Sequence, residues 1–176
     1  MDSEKQVFSV WGLPTEEVRE RVKKVMKTLA AEFNGPEFEP HVTIVRAIKL
    51  TQEDAINKFN SACTDLKKAY VVHSKGVSTG TCVYLLLDTN PQVVAPSDHC
   101  CRHFGYERRS PYMPHMGLLY ADLTEDEKKK AQERANAVDD SIGNLSFLIK
   151  RLALYKTDPE DKSLKSWEKI AEYELE

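Results

Sequence analysis

Apolar positions along this chain recur with two different spacings. At Val18, Val22, Val25, Met26, Leu29 and Phe33 they fall three or four residues apart, which puts one apolar stripe on a helix over 16–33. Asn34-Gly35-Pro36 closes that helix, with Gly35 as the left-handed residue. Thr51-Gln52-Glu53-Asp54 opens a second helix whose inward residues are Ala55, Ile56, Phe59 and Ala62. Elsewhere the period is two, and 6–11, 38–48 and 114–120 alternate as strands. Residues 70–73 and 77–79 are weaker strand material broken by Gly76, and Cys82 to Asp88 is a continuous apolar run that predicts a central strand. Asn90-Pro91 opens a helix to about Phe104, and Thr124-Glu125-Asp126-Glu127 is a capping box for another to about Val138. Two runs, 145–155 and 167–175, finish the chain as strands.

Two strand heads share one phrase. Pro40-His41-Val42-Thr43-Ile44 is answered 74 residues later by Pro114-His115-Met116-Gly117-Leu118. Strand side chains alternate between faces, so His41 and Thr43 share one face and Val42 and Ile44 the other. By the same alternation Met116 and Leu118 face the core, while His115 and position 117 look away from it. The surroundings match as well, since Leu50-Thr51 and Leu123-Thr124 each lead into an acidic helix start. This pattern predicts two tandem pseudo-symmetric repeats, about 6–80 and 82–175, within one domain. A duplicated unit of this kind would aim both imidazoles into one cleft.

Composition narrows the partners. A length of 176 residues suffices for one sizeable core, and the net charge of −3 lacks the basic footprint of a duplex nucleic-acid binder. No apolar run reaches bilayer length and no secretory signal opens the chain, so the expectation is a cytoplasmic protein without membrane contact. A monomer is expected, though nothing in the sequence fixes the oligomeric state. Cys63, Cys82, Cys100 and Cys101 show no CxxC spacing and read as reduced structural thiols. His99 and His103 stand four apart on a predicted helix, a spacing that suits zinc. The sequence shows no second ligand cluster beside them, and the expectation is no metal and no cofactor.

At its two histidine phrases the chain resembles the two-histidine (2H) phosphoesterase superfamily, and in particular its plant cyclic phosphodiesterase branch. That family carries two His-x-Thr/Ser-x motifs, which stand here as His41-Val42-Thr43-Ile44 and His115-Met116-Gly117-Leu118. Ser9-Val10-Trp11, Val77-Ser78-Thr79-Gly80, Ser110-Pro111-Tyr112-Met113-Pro114 and Leu152-Ala153-Leu154 extend the likeness over nearly the whole chain. The resemblance implies an α+β, LigT-like fold of two lobes, with antiparallel sheets lining a central cleft and helices outside. It implies metal-independent hydrolysis of a small cyclic nucleotide. The substrates it suggests are ADP-ribose 1″,2″-cyclic phosphate, opened to ADP-ribose 1″-phosphate downstream of tRNA splicing, and nucleoside 2′,3′-cyclic phosphates, opened to 2′-phosphates.

Residue chemistry agrees with this. Imidazole, with an ordinary pKa of ~6.5, serves as acid or base near neutrality, and a hydroxyl two residues on holds a phosphate oxygen. Analogy favours His115 as the group that activates water and His41 as the group that protonates the leaving oxygen. Thr43, Tyr120 and Trp11 are candidate substrate contacts; for Tyr120 and Trp11 core packing is the competing explanation. Arg108 and Arg109 are either an exposed basic loop or a diphosphate contact.

Gly117 departs from the motif, because it has no hydroxyl. Losing one hydrogen bond to a charged group costs ~1.5–3 kcal/mol, about ten- to a hundredfold in rate. Restoring it with Gly117→Ser is therefore expected to raise turnover. Two other functions fit the same residues: a non-catalytic binder of cyclic-phosphate or 2′-phosphate nucleotides, and an RNA end-processing 2H enzyme.

Overall fold

A computed structural model describes residues 4–176. In chain order its elements are β1 (Gln6–Leu13), α1 (Glu16–Phe33), β2 (Val42–Leu50), α2 (Gln52–Leu66), β3 (Tyr70–Thr79), β4 (Val83–Leu87), α3 (Pro91–Phe104), β5 (His115–Leu119), α4 (Glu125–Val138), β6 (Ser146–Ile149), β7 (Arg151–Lys156) and β8 (Glu168–Glu174). The helices form where the apolar stripes predict them. On α1 the buried residues are Val18, Val22, Val25, Met26 and Leu29. Its left-handed terminal residue is Asn34 (φ 57°) rather than Gly35, and the Asn34 N–H donates to the Ala30 carbonyl. Asparagine is among the few residues that visit this region routinely. The capping box forms at α4, where the Thr124 side chain accepts from the Glu127 N–H and Glu127 accepts from the Thr124 N–H.

The strands form one antiparallel sheet in the order β6-β3-β4-β5-β2-β1-β7-β8. Its core face is sealed by the helices, with α1 packed on β5 and α4, and α3 packed on β2 and α2. Three strand expectations need correction. The strand expected over 38–48 begins only at Val42, so His41 stands just before it. β3 runs unbroken through Gly76, whose φ of 149° accommodates a bulge; Tyr70 to His73 pair with β6, and Ser74 to Thr79 pair with β4. The run 145–155 is two strands, because β6 pairs with β3 and β7 with β1. Only Lys150 separates them, although they lie towards opposite ends of the strand order. The sheet must therefore curl into a half-barrel until those parts approach. The packing agrees, since a Cβ on Gly12 of β1 would stand 3.1 Å from the Ile149 side chain of β6. Among the described residues no helix is long and apolar enough to cross a membrane.

At the centre of the order β5 and β2 lie side by side, joined in antiparallel register through Val42↔Met116. Val42 and Met116 are 1% and 0% exposed, as the alternation requires. Continuing that register by one residue sets His41 across from Gly117 and Thr43 across from His115.

Candidate active site

The two histidine phrases fold alike. The His41 Nδ1–H donates to the Glu39 carbonyl at 2.8 Å, and the His115 Nδ1–H donates to the Met113 carbonyl at 2.9 Å. In each, a proline stands between the ring and its partner and holds φ fixed. A carbonyl only accepts, so each bond places the proton on Nδ1 and leaves Nε2 of the neutral ring as the acceptor.

Their surroundings differ. His41 is 3% exposed and lies flat on the Trp11 indole, with centroids 3.5 Å apart and planes at 7°. Tyr155 stacks on Trp11, and the Phe38 and Trp167 rings meet His41 edge-on. Burial pulls the His41 pKa down to about 4, only partly opposed by the bond to Glu39, and the charge of nearby His115 adds to the lowering. In this enclosure His41 is neutral at pH 7. Trp167 arrives from the segment between β7 and β8, and its Nε1–H is buried without a hydrogen-bond partner among the described residues.

His115 is half-buried and opens onto a cavity of about 600 Å³ that Thr43, Tyr84 and Tyr120 also line. Among the described residues no carboxylate lines this cavity, but Arg46, Arg108 and Arg109 do. Arg108 is held by Asp98 and Ser97 and lies over the Tyr112 ring at 4.4 Å, while the Tyr112 hydroxyl donates to the Thr43 carbonyl at 2.7 Å. Among the described residues Arg46 and Arg109 have no carboxylate partner. The structure thus brings Thr43, His115 and Tyr120 to one cavity, with Gly117 beside Tyr120. It sets His41 and Trp11 behind them in an aromatic cage.

At Gly117 the structure changes the expectation for the missing hydroxyl. A Cβ built there would stand 2.6 Å from the Tyr120 hydroxyl oxygen and 2.8 Å from Cζ. Tyr120 cannot swing aside cheaply, because its ring stacks on Phe38 with centroids 4.4 Å apart. Burial also drives the Tyr120 pKa up, so the phenol stays a donor, and it donates to no described residue. The space that a Thr or Ser side chain would occupy is already filled, and it is filled by a hydroxyl.

Sequence reasoning missed Trp167, Tyr84, Tyr112 and Arg46. Strict alternation from Thr43 would not bring Arg46 to the side of His115. Ile44 and Val45 are both buried, because the β1–β2 register shifts there, and Arg46 reappears on the cavity side. No sequence signal marks that slip.

Residues 7–175 match the model of the cyclic phosphodiesterase-like protein family. The chain is 52% identical over 171 residues to a cyclic phosphodiesterase of Arabidopsis thaliana, covering 95% of this chain and 94% of that one. Among solved structures, E. coli LigT complexed with phosphate matches over 98% of this chain and 99% of its own, with a TM-score of 0.61 at 11% identity. The same protein complexed with NADP+ gives 0.66 at 14% identity over the same shares. Such distant matches speak for the fold alone. Fold and relatives together define a 2H phosphoesterase. Within that class the chain belongs to the cyclic phosphodiesterase-like family, and it is a hydrolase that opens cyclic phosphates.

Proposed function

We propose that the protein hydrolyses ADP-ribose 1″,2″-cyclic phosphate to ADP-ribose 1″-phosphate, and nucleoside 2′,3′-cyclic phosphates to 2′-phosphates, with His115 as base and His41 as acid. The observation that carries this reading is the matched pair of imidazoles at the heads of adjacent strands, each with Nδ1 tied to a carbonyl and Nε2 left for chemistry. His115 opens on the cavity, where water reaches it, and Nε2 takes the proton as the water oxygen bonds to phosphorus. The ester bond to one ring oxygen breaks, and that oxygen receives a proton from His41 Nε2. The substrate phosphate carries the negative charge that opposes burial and favours a protonated His41 in the complex. The Thr43 hydroxyl and the Tyr120 hydroxyl hold the non-bridging oxygens, with Tyr120 standing in for the side chain that Gly117 lacks.

Cavity size and charge support a substrate of nucleotide size. About 600 Å³ lies in the range of small-molecule sites, and Arg46 and Arg109 suit a second anionic group such as a diphosphate. The fold neighbour LigT has itself been solved with phosphate and with 3′-AMP.

Turnover of both substrate types in EDTA tests the reading. His41→Ala and His115→Ala are each expected to lose ~10²–10⁴-fold. A catechol cyclic phosphate, whose phenolic leaving oxygen needs little help from an acid, separates the two roles. Its hydrolysis recovers in the acid-deficient His41→Ala and not in His115→Ala. Recovery in His115→Ala instead would reverse the assignment, and full activity in either variant would sink the reading.

A further inference from the structure

The proposed chemistry leaves His99 and His103 unused. They lie one turn apart near the C-terminal end of α3, and α2 brings Asp65 to them from the end of its own helix. The His103 Nε2–H donates to Asp65 Oδ2 at 3.1 Å. The His99 Nε2–H donates to the Ala62 carbonyl at 3.1 Å, and the two imidazole centroids stand 4.7 Å apart. One donor atom from each of the three residues lies within 4.8 Å of the other two.

From these positions we infer a binding site for one zinc ion, formed by Asp65, His99 and His103, that ties the C-terminal ends of α2 and α3 together. Two imidazoles and one carboxylate form a donor set that suits zinc and not calcium or magnesium, which take oxygen ligands. With metal–ligand bonds of about 2.0–2.2 Å, corners of a tetrahedron stand about 3.3–3.5 Å apart. The His103–Asp65 edge, at 3.1 Å, is near that already, and the other two edges, which lie within 4.8 Å, shorten to it on binding. Zinc takes the place of the proton that His103 shares with Asp65. His99 already gives one ring N–H to a backbone carbonyl, the outer bond that orients metal-ligating histidines and leaves the second nitrogen with its lone pair. The electrostatics agree independently, because the negative ends of two helix dipoles meet here and no lysine or arginine pairs with Asp65 among the described residues. Asp65 is 66% exposed, so water reaches the fourth position. None of the three residues lines the cavity of His115, so the ion would add stability and take no part in turnover.

Zinc titration of the full chain, stripped of metal and free of affinity tags, tests the site by calorimetry and by thermal melting. One saturable ion per chain is expected. At free zinc a hundred times Kd the melting temperature should rise by about 5–10 °C, with no rise in calcium or magnesium. His103→Ala and the His99→Gln/His103→Gln double variant should lose both signals, Asp65→Asn should weaken binding at least tenfold, and His115→Ala should retain it. Asp65→Asn alters an exposed carboxylate, and its melt in EDTA shows whether the fold is intact. Zinc binding that survives the double variant, disappears in His115→Ala, or never saturates overturns the site.

Discussion

At His41 the burial that shields the imidazole also makes the protein sensitive to acid. Its pKa falls from an ordinary 6.5 to about 4 on folding, so between those values the unfolded chain binds the proton more readily. The stability this group supports is complete above about pH 6.5 and drains as the pH falls towards 4, by about 3 kcal/mol in all. Urea unfolding of wild type and His41→Gln at about pH 7 and pH 4 checks this; the acid-induced loss should be smaller in the variant by roughly that amount. Gly117 and Tyr120 make a second prediction at this scale. Gly117→Ser alone is expected to lower turnover by displacing the Tyr120 ring, and Tyr120→Ala alone to lower it about ten- to a hundredfold by removing the donor. Combined with Tyr120→Ala, the same Gly117→Ser should raise kcat/KM above that of Tyr120→Ala, because the serine then has room. A double-mutant cycle on a 2′,3′-cyclic nucleotide shows whether the sign reverses. The sequence made Thr43 and His115 legible because strand parity alone sorts their faces. It could not show that the side chain three residues beyond Gly117 fills the glycine's empty space.

Among the elements, helix ends separate capping in name from capping in fact. Thr124 is bonded in a full capping box, whereas the Thr15 side chain makes no cap hydrogen bond at the start of α1. Thr124→Ala should cost about 1 kcal/mol and Thr15→Ala well under half of that, as measured by chemical unfolding. The helices were legible in the sequence almost to the residue, since a 3.6-residue stripe is a local signal. Strand partners were not. A pattern of period two cannot tell that Gly76 is a bulge and not a break, or that Lys150 divides one apolar run between β6 and β7. Both facts depend on which distant strand lies alongside.

Over the whole molecule, the strand order exchanges pieces between the two halves of the chain. The strands grouped with His41 are β2, β1, β7 and β8, and those grouped with His115 are β5, β4, β3 and β6. Thus β3 leaves the first half of the chain to pair with β4, and β7 returns from the second half to pair with β1. The likeness of the two phrases let the sequence suggest a shared cleft, but no local pattern encodes this exchange. It also has a kinetic meaning. A single peptide hairpin, turned at Gly80 and Cys82, is what makes assembly of the site a first-order event. If the chain is severed between Gly80 and Thr81, neither piece should fold or turn over substrate alone. Mixed, the pieces should regain activity that grows with the product of their concentrations, while the intact chain keeps the same rate per molecule at any dilution. The hairpin therefore acts as a fixed local concentration of one half of the active site for the other.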